Sequence, residues 1–159
     1  MAQRFGGTFV DLDDITPGLL GESTSADALR RHGVADFREA ERRALEDPRV
    51  RTAQVVALGG GTPTHPPCEA ELRRRAESGA AIVYLRASAA CLRARLSATD
   101  LATRPALLGA DVLAEVEALW QHRDPIYRAL ATLVVDVEAM TPEAAAEAAI
   151  ARRSQIPTT

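Results

Sequence analysis

No lysine occurs anywhere in the 159 residues, because all 19 basic side chains are arginine. A mechanism that needs an ε-ammonium therefore finds none in this sequence. Cysteine is nearly as scarce: Cys68 and Cys91 stand at no metal-ligand spacing and make no disulfide framework, which fits packing residues in a reducing cytoplasm. No apolar run approaches the roughly eighteen residues of a membrane span, and the N-terminus lacks the charged-then-apolar layout of a signal peptide. The formal charge is −3 and the pI near 5.6, so there is no general basic field to hold nucleic acid or an anionic bilayer. Whatever anion the protein binds must be gripped locally. The three histidines share no spacing that suggests a metal site.

An apolar content of 47% over this length supports one globular domain across residues 1–159. Its organising stretch is Gln54-Val55-Val56-Ala57-Leu58-Gly59-Gly60-Gly61-Thr62-Pro63-Thr64. A short Val-rich run stopped by glycines reads as a buried strand of a parallel sheet, with its carboxyl end aimed at a ligand. Three glycines without Cβ let backbone N–H groups approach something small and polar, although a plain flexible turn accounts for such a triplet as well.

Upstream, Thr8-Phe9-Val10-Asp11-Leu12-Asp13 reads as a strand whose end bears two carboxylates two residues apart, hence on one face. Asp11 and Asp13 then aim together, one toward a metal-bound water and one toward a substrate hydroxyl, or else they are solvated strand-end acids. Pro17, Gly18 and Gly21 break the pattern up to Gly33, which leaves a loop with a short helix over Ser25 to His32. Asp36 is placed as the N-cap of a helix from Phe37 to Glu46, with Arg38 in its first turn. There it is either drawn outward by an acid or held for an external carboxylate.

Pro66 and Pro67 open a helix over Cys68 to Glu77 that Gly79 ends, and Ala80 to Leu85 reads as the next buried strand. Ser88 caps a helix through Arg95. A segment at about 96–110 carrying Arg104-Pro105 is too long for a plain connection and reads as a lid. Asp111 caps a helix with Val112, Leu113, Val116, Leu119 and Trp120 at helical spacing. Thr132 to Asp136 is the last strand, Thr141 and Pro142 start the last helix, and residues 154–159 are expected to fray. Strands alternating with helices specify an α/β fold, a three-layer parallel sheet with helices on both faces, whose ligands lie outside the carboxyl ends of the strands.

Five segments together resemble the shikimate kinase family: Phe9-Val10-Asp11-Leu12-Asp13, Phe37-Arg38-Glu39-Ala40-Glu41, Leu58-Gly59-Gly60-Gly61, Arg104-Pro105-Ala106-Leu107-Leu108 and Arg123-Asp124-Pro125-Ile126-Tyr127-Arg128. They occur in the family's order and near its spacing. The resemblance implies a P-loop, nucleoside-monophosphate-kinase-like enzyme, probing no nucleic acid or membrane, that uses ATP with Mg2+ to phosphorylate the 3-hydroxyl of shikimate in chorismate and aromatic amino acid biosynthesis. It implies that Asp13 contacts the substrate hydroxyls and assists deprotonation, and that Asp11 stands behind a water of the magnesium. It further implies that Arg38 and Arg123 fork onto the shikimate carboxylate while Gly59, Gly60 and Gly61 bind ring hydroxyls. Arg104 reaches the transferring phosphates from the lid, and Arg95 lies along the adenine.

One departure stands out. The family's first strand and its Gly-rich loop ending in Gly-Lys-Ser/Thr, a segment of roughly twenty residues with the following helix, have no counterpart here. Three explanations remain open: a truncated gene product, poorly active as written; a degenerate relative serving as a non-catalytic shikimate-binding or regulatory module; and a split enzyme. A monomer is expected unless a partner chain supplies that loop.

Overall fold

The computed structural model describes residues 7–97 and 112–154. The chain falls into two compact units, Met1–Arg74 and Arg75–Thr159. Each is built on one pair of parallel strands.

In the first unit β1 (Phe9–Asp11) pairs with β2 (Val55–Ala57), in the register Phe9↔Val55, Val10↔Val56 and Asp11↔Ala57. Thr8 adds to the pairing, since its amide donates to Gln54 Oε1 at 2.7 Å. Between these strands runs α1 (Ser25–Leu45), started by Thr24, whose hydroxyl accepts from the Asp27 amide. The expected break at Gly33 is real, with φ 79° and ψ 173°, but helix resumes at once, so two expected helices form one kinked element and Asp36 lies inside it rather than capping it. Glycine adopts this left-handed φ without the Cβ penalty that other residues meet.

Next, α2 (Pro48–Thr52) is a short helix that the periodicity did not reveal, although Asp47 caps it and Pro48 opens it. Then α3 (Pro66–Glu77) takes both prolines into its first turn. The apolar faces close over Leu12, Ile15, Phe37, Ala40, Leu45, Val50, Cys68 and Leu72, all buried. Burying one such Leu or Phe contributes about 1.5–3 kcal/mol. Burial also pushes the Cys68 thiol up to about 11, so it serves as a small packing group and not as a nucleophile.

In the second unit β3 (Val83–Arg86) pairs with β4 (Leu133–Asp136), in parallel register from Val83↔Leu133 to Arg86↔Asp136. Capped by Ser88, whose Oγ accepts from the Cys91 amide, α4 (Ala89–Ser97) extends two residues past the expected end. The expected lid beyond Ser97, Asp111 and the tail beyond Ser154 lie outside the described residues. Helix α5 (Val112–Leu130) continues through Pro125, joining what reads as two segments in the sequence. Thr141 caps α6 (Pro142–Arg153) as expected. Val116, Leu130, Val135, Val137, Ala145 and Ala149 are buried in this unit. Among the described residues no helix is long and apolar enough to cross a membrane.

Candidate active site

The two acids near residue 11 do not share a strand face. Pairing stops at Asp11, and Leu12–Asp14 turn into a 3-10 helix for which Asp11 is the N-cap, its Oδ1 accepting from the Asp13 amide at 3.0 Å. Period-two reasoning fails because the chain leaves the strand between the two acids. Asp11 thereby fixes the backbone of Asp13, and Ser25 Oγ donates to Asp13 Oδ1 at 3.2 Å.

Crowding by protein raises the Asp13 carboxyl above its ordinary 3.8, and the negative charges of Asp11 and Asp14 add to this, while the Ser25 hydrogen bond and Arg38 pull the other way. Its outer side stays open to water, which screens the push. A raised folded pKa means that the folded chain binds this proton more tightly than the unfolded chain. The associated stability is present below the ordinary carboxylate range and is lost as pH climbs through the folded pKa. Asp13→Asn is thus expected to melt at or above the wild-type temperature at pH 7, with the difference vanishing below about pH 4, in thermal scans across pH. A variant that melts lower at pH 7 and recovers in acid would reverse the sign.

The glycine triplet contributes space. None of its residues has a positive φ. A Cβ on Gly61 would overlap the Arg38 guanidinium, and one on Gly59 would lie 2.6 Å from Glu41 Oε1, 3.2 Å from Thr62 Oγ1 and 3.5 Å from Asp13 Oδ1. Arg38 passes against bare backbone and pairs through Nη1 with Glu41 Oε2 one helical turn on. The Glu41 side chain is 1% exposed, and its other oxygen accepts from Thr62 Oγ1 at 2.6 Å. A buried carboxylate is tolerated when it is paired and hydrogen-bonded, and both conditions hold here. Asp13, Arg38, Gly59 and Gly61 therefore come together in one place. Glu41, Thr62 and Ser25 were not singled out from sequence. The three-residue spacing of Arg38 and Glu41 signals a helical ion pair, while burial of that pair is a tertiary fact.

In the second unit Asp124 is 8% exposed and accepts from Tyr84 Oη and Arg86 Nε, each at 3.0 Å, and from Arg128 Nε at 2.6 Å. Burial pushes its carboxyl up, but the hydrogen bonds from Arg128, Tyr84 and Arg86 outweigh this and hold it below the ordinary value. Tyr84 is correspondingly pushed up to about 12 by burial and by Asp124. The neighbouring Arg123 is half-buried and has no ion-pair or hydrogen-bond partner among the described residues, as suits a cation kept for an external anion. Arg95 Nη2 donates to the carbonyls of Val137 and Glu138 at 2.7 and 3.1 Å, which ties α4 to the segment after β4. Arg104 lies outside the described residues.

Parallel strands ending in an acid and a glycine loop, with helices between, define an α/β small-molecule kinase of the P-loop nucleoside-monophosphate-kinase architecture. The family model described as "SKI: Shikimate kinase" matches residues 1–153, and the chain belongs to the shikimate kinase family. It is 38% identical over 138 residues to the shikimate kinase of Rhodopirellula baltica, covering 86% of this chain and 71% of that one. It is 36% identical over 147 residues to that of Thermobifida fusca, covering 92% and 80%. Among solved structures, shikimate kinase from Acinetobacter baumannii in complex with shikimate superposes with a TM-score of 0.78 at 26% identity, covering 97% of this chain and 80% of that one. The Aquifex aeolicus enzyme gives 0.72 at 21% identity, covering 97% and 86%, a likeness of fold. The function is thus shikimate kinase-like. These likenesses do not bear out the expectation of a non-catalytic module.

Proposed function

We propose that this protein transfers the γ-phosphoryl group of ATP to the 3-hydroxyl of shikimate, in the cytoplasm and as a monomer, on the route to chorismate. The observation that carries the reading is the Asp13–Arg38–Gly61 cluster: a carboxylate able to take a hydroxyl proton beside an arginine pressed on open backbone. Asp13 orients the attacking hydroxyl and accepts its proton. Arg38, held by Glu41, binds the substrate carboxylate in a bidentate fork, for which a planar guanidinium is suited. Gly59, Gly60 and Gly61 offer backbone to the ring hydroxyls. Arg123 is assigned to the carboxylate as well, Arg95 to the face of the adenine, and Arg104 to the transferring phosphates.

Among the described residues no three His, Cys, Asp or Glu side chains are grouped to hold a metal ion. Asp11, with one carboxylate oxygen beyond its cap bond, would accept a hydrogen bond from a water of a magnesium ion brought in with nucleotide phosphates. When bound, the ion neutralises charge on the phosphates. No Gly-Lys-Ser/Thr segment stands in this sequence, and of its residues Arg104 alone is assigned to the transferring phosphates. What these side chains contribute is positioning and electrostatic complementarity, which dominate phosphoryl transfer.

Calorimetric titration with shikimate tests the reading. Binding is expected in the wild type, and Arg123→Ala should weaken it by about 2–5 kcal/mol, the range for removing one partner of a desolvated charge pair. A chain that takes up no shikimate sinks the proposal, and unchanged affinity in Arg123→Ala removes that residue from it.

A further inference from the structure

The oxygen of Asp13 that takes the substrate's proton needs a fixed direction, and nothing in an aspartate supplies one. The terminal torsion of Asp is broad and roughly two-fold, so a carboxylate held only by its backbone rocks between orientations. Asp11 fixes that backbone through the Asp13 amide. Ser25 Oγ then engages Oδ1 from the first residue of α1, and Gly59 is close enough that an added Cβ there would be 3.5 Å from the same oxygen. Oδ2 is left without a partner among the described residues.

The Ser25 hydroxyl is not used by the helix that carries it. Capping of α1 falls to Thr24, which accepts from the Asp27 amide at 3.0 Å and donates to Asp27 Oδ2 at 2.8 Å. Alanine at the first helical position would keep the helix, since alanine has the best helix propensity and Thr24 retains the cap. The side chain at 25 is half-buried and has Asp13 as its hydrogen-bond partner.

We propose that Ser25 is a positioning residue for phosphoryl transfer: by donating to Asp13 Oδ1 it locks the carboxylate so that Oδ2 faces the hydroxyl to be phosphorylated. The inference rests on the assignment of Asp13 to that hydroxyl. Orientation of this kind has to hold within about 0.5 Å and 10–20° to be useful.

The test is the ratio of affinities for shikimate and for its 3-deoxy analogue, measured by calorimetry at pH 7 on the whole chain. Wild type should prefer shikimate. Ser25→Ala should reduce that preference about ten- to a hundredfold, the weight of one hydrogen bond to a charged group, with an unchanged melting temperature. Ser25→Thr, which restores the hydroxyl, should recover most of the preference. A ratio that Ser25→Ala leaves intact overturns the proposal, and so does an equal loss toward both ligands, which would mark a merely structural residue. If wild type binds shikimate no better than the deoxy compound, the assignment of Asp13 itself falls and takes this inference with it. Preserved discrimination in Ser25→Ala removes Ser25 alone.

Discussion

Gly61→Ala is expected to leave the protein folded and to weaken shikimate binding by about 2–5 kcal/mol, tens- to thousands-fold. The methyl group would occupy the space of the Arg38 guanidinium. An exposed arginine would swing aside at little cost. This one is 14% exposed and paired with Glu41, whose side chain is 1% exposed, so moving it away strands a carboxylate that water cannot reach. Backbone strain plays no part, because φ of Gly61 is −96°, a value open to any residue. Gly18→Ala is the matched control: nothing lies within 4 Å of an added Cβ there, and binding should be unchanged. Calorimetry beside circular dichroism separates the two, and full affinity in Gly61→Ala would show that Arg38 does not grip the substrate from its observed position.

Glu41→Ala carries the second large effect, on stability. Removing this carboxylate deprives the Arg38 guanidinium of its counter-charge and leaves Thr62 Oγ1, on a fully buried residue, without its acceptor. Breaking such a pair by deleting one partner costs about 3–5 kcal/mol, against a total stability of about 5–15 kcal/mol for a domain. Urea unfolding should show this drop, with the slope unchanged. Glu41→Gln should fall between, since an amide oxygen still accepts from Thr62 but brings no charge. A loss under about 1 kcal/mol in Glu41→Ala would mean that Arg38 finds water or another acceptor once released.

The alternation of strand and helix was legible because the apolar runs Val55–Leu58 and Ala80–Leu85 are short and stopped by glycine or charge. Their ends were not: β3 begins at Val83, inside the apolar run that starts at Ala80. Gly33 reads as a terminator, yet one left-handed residue lets α1 bend and continue. The charged residues of Arg38-Glu39-Ala40-Glu41-Arg42-Arg43 look alike in sequence, and only tertiary packing selects Glu41 as the fully buried one. Of the candidate site, Asp13, Arg38 and the glycine triplet were legible because motif order needs no geometry. Ser25 and Thr62 were not, because a hydroxyl carries no pattern until its partner's position is known.

The bend at Gly33 divides one helix between two tasks. Ahead of it stands Ser25, which bonds to Asp13, and after it stand Arg38 and Glu41, which face the glycine loop. A straight rod of this length would transmit any repacking from one end to the other. With a swivel between them, the half around Ser25 can be repacked while the half around Arg38 and Glu41 stays fixed, so the two ends can change independently.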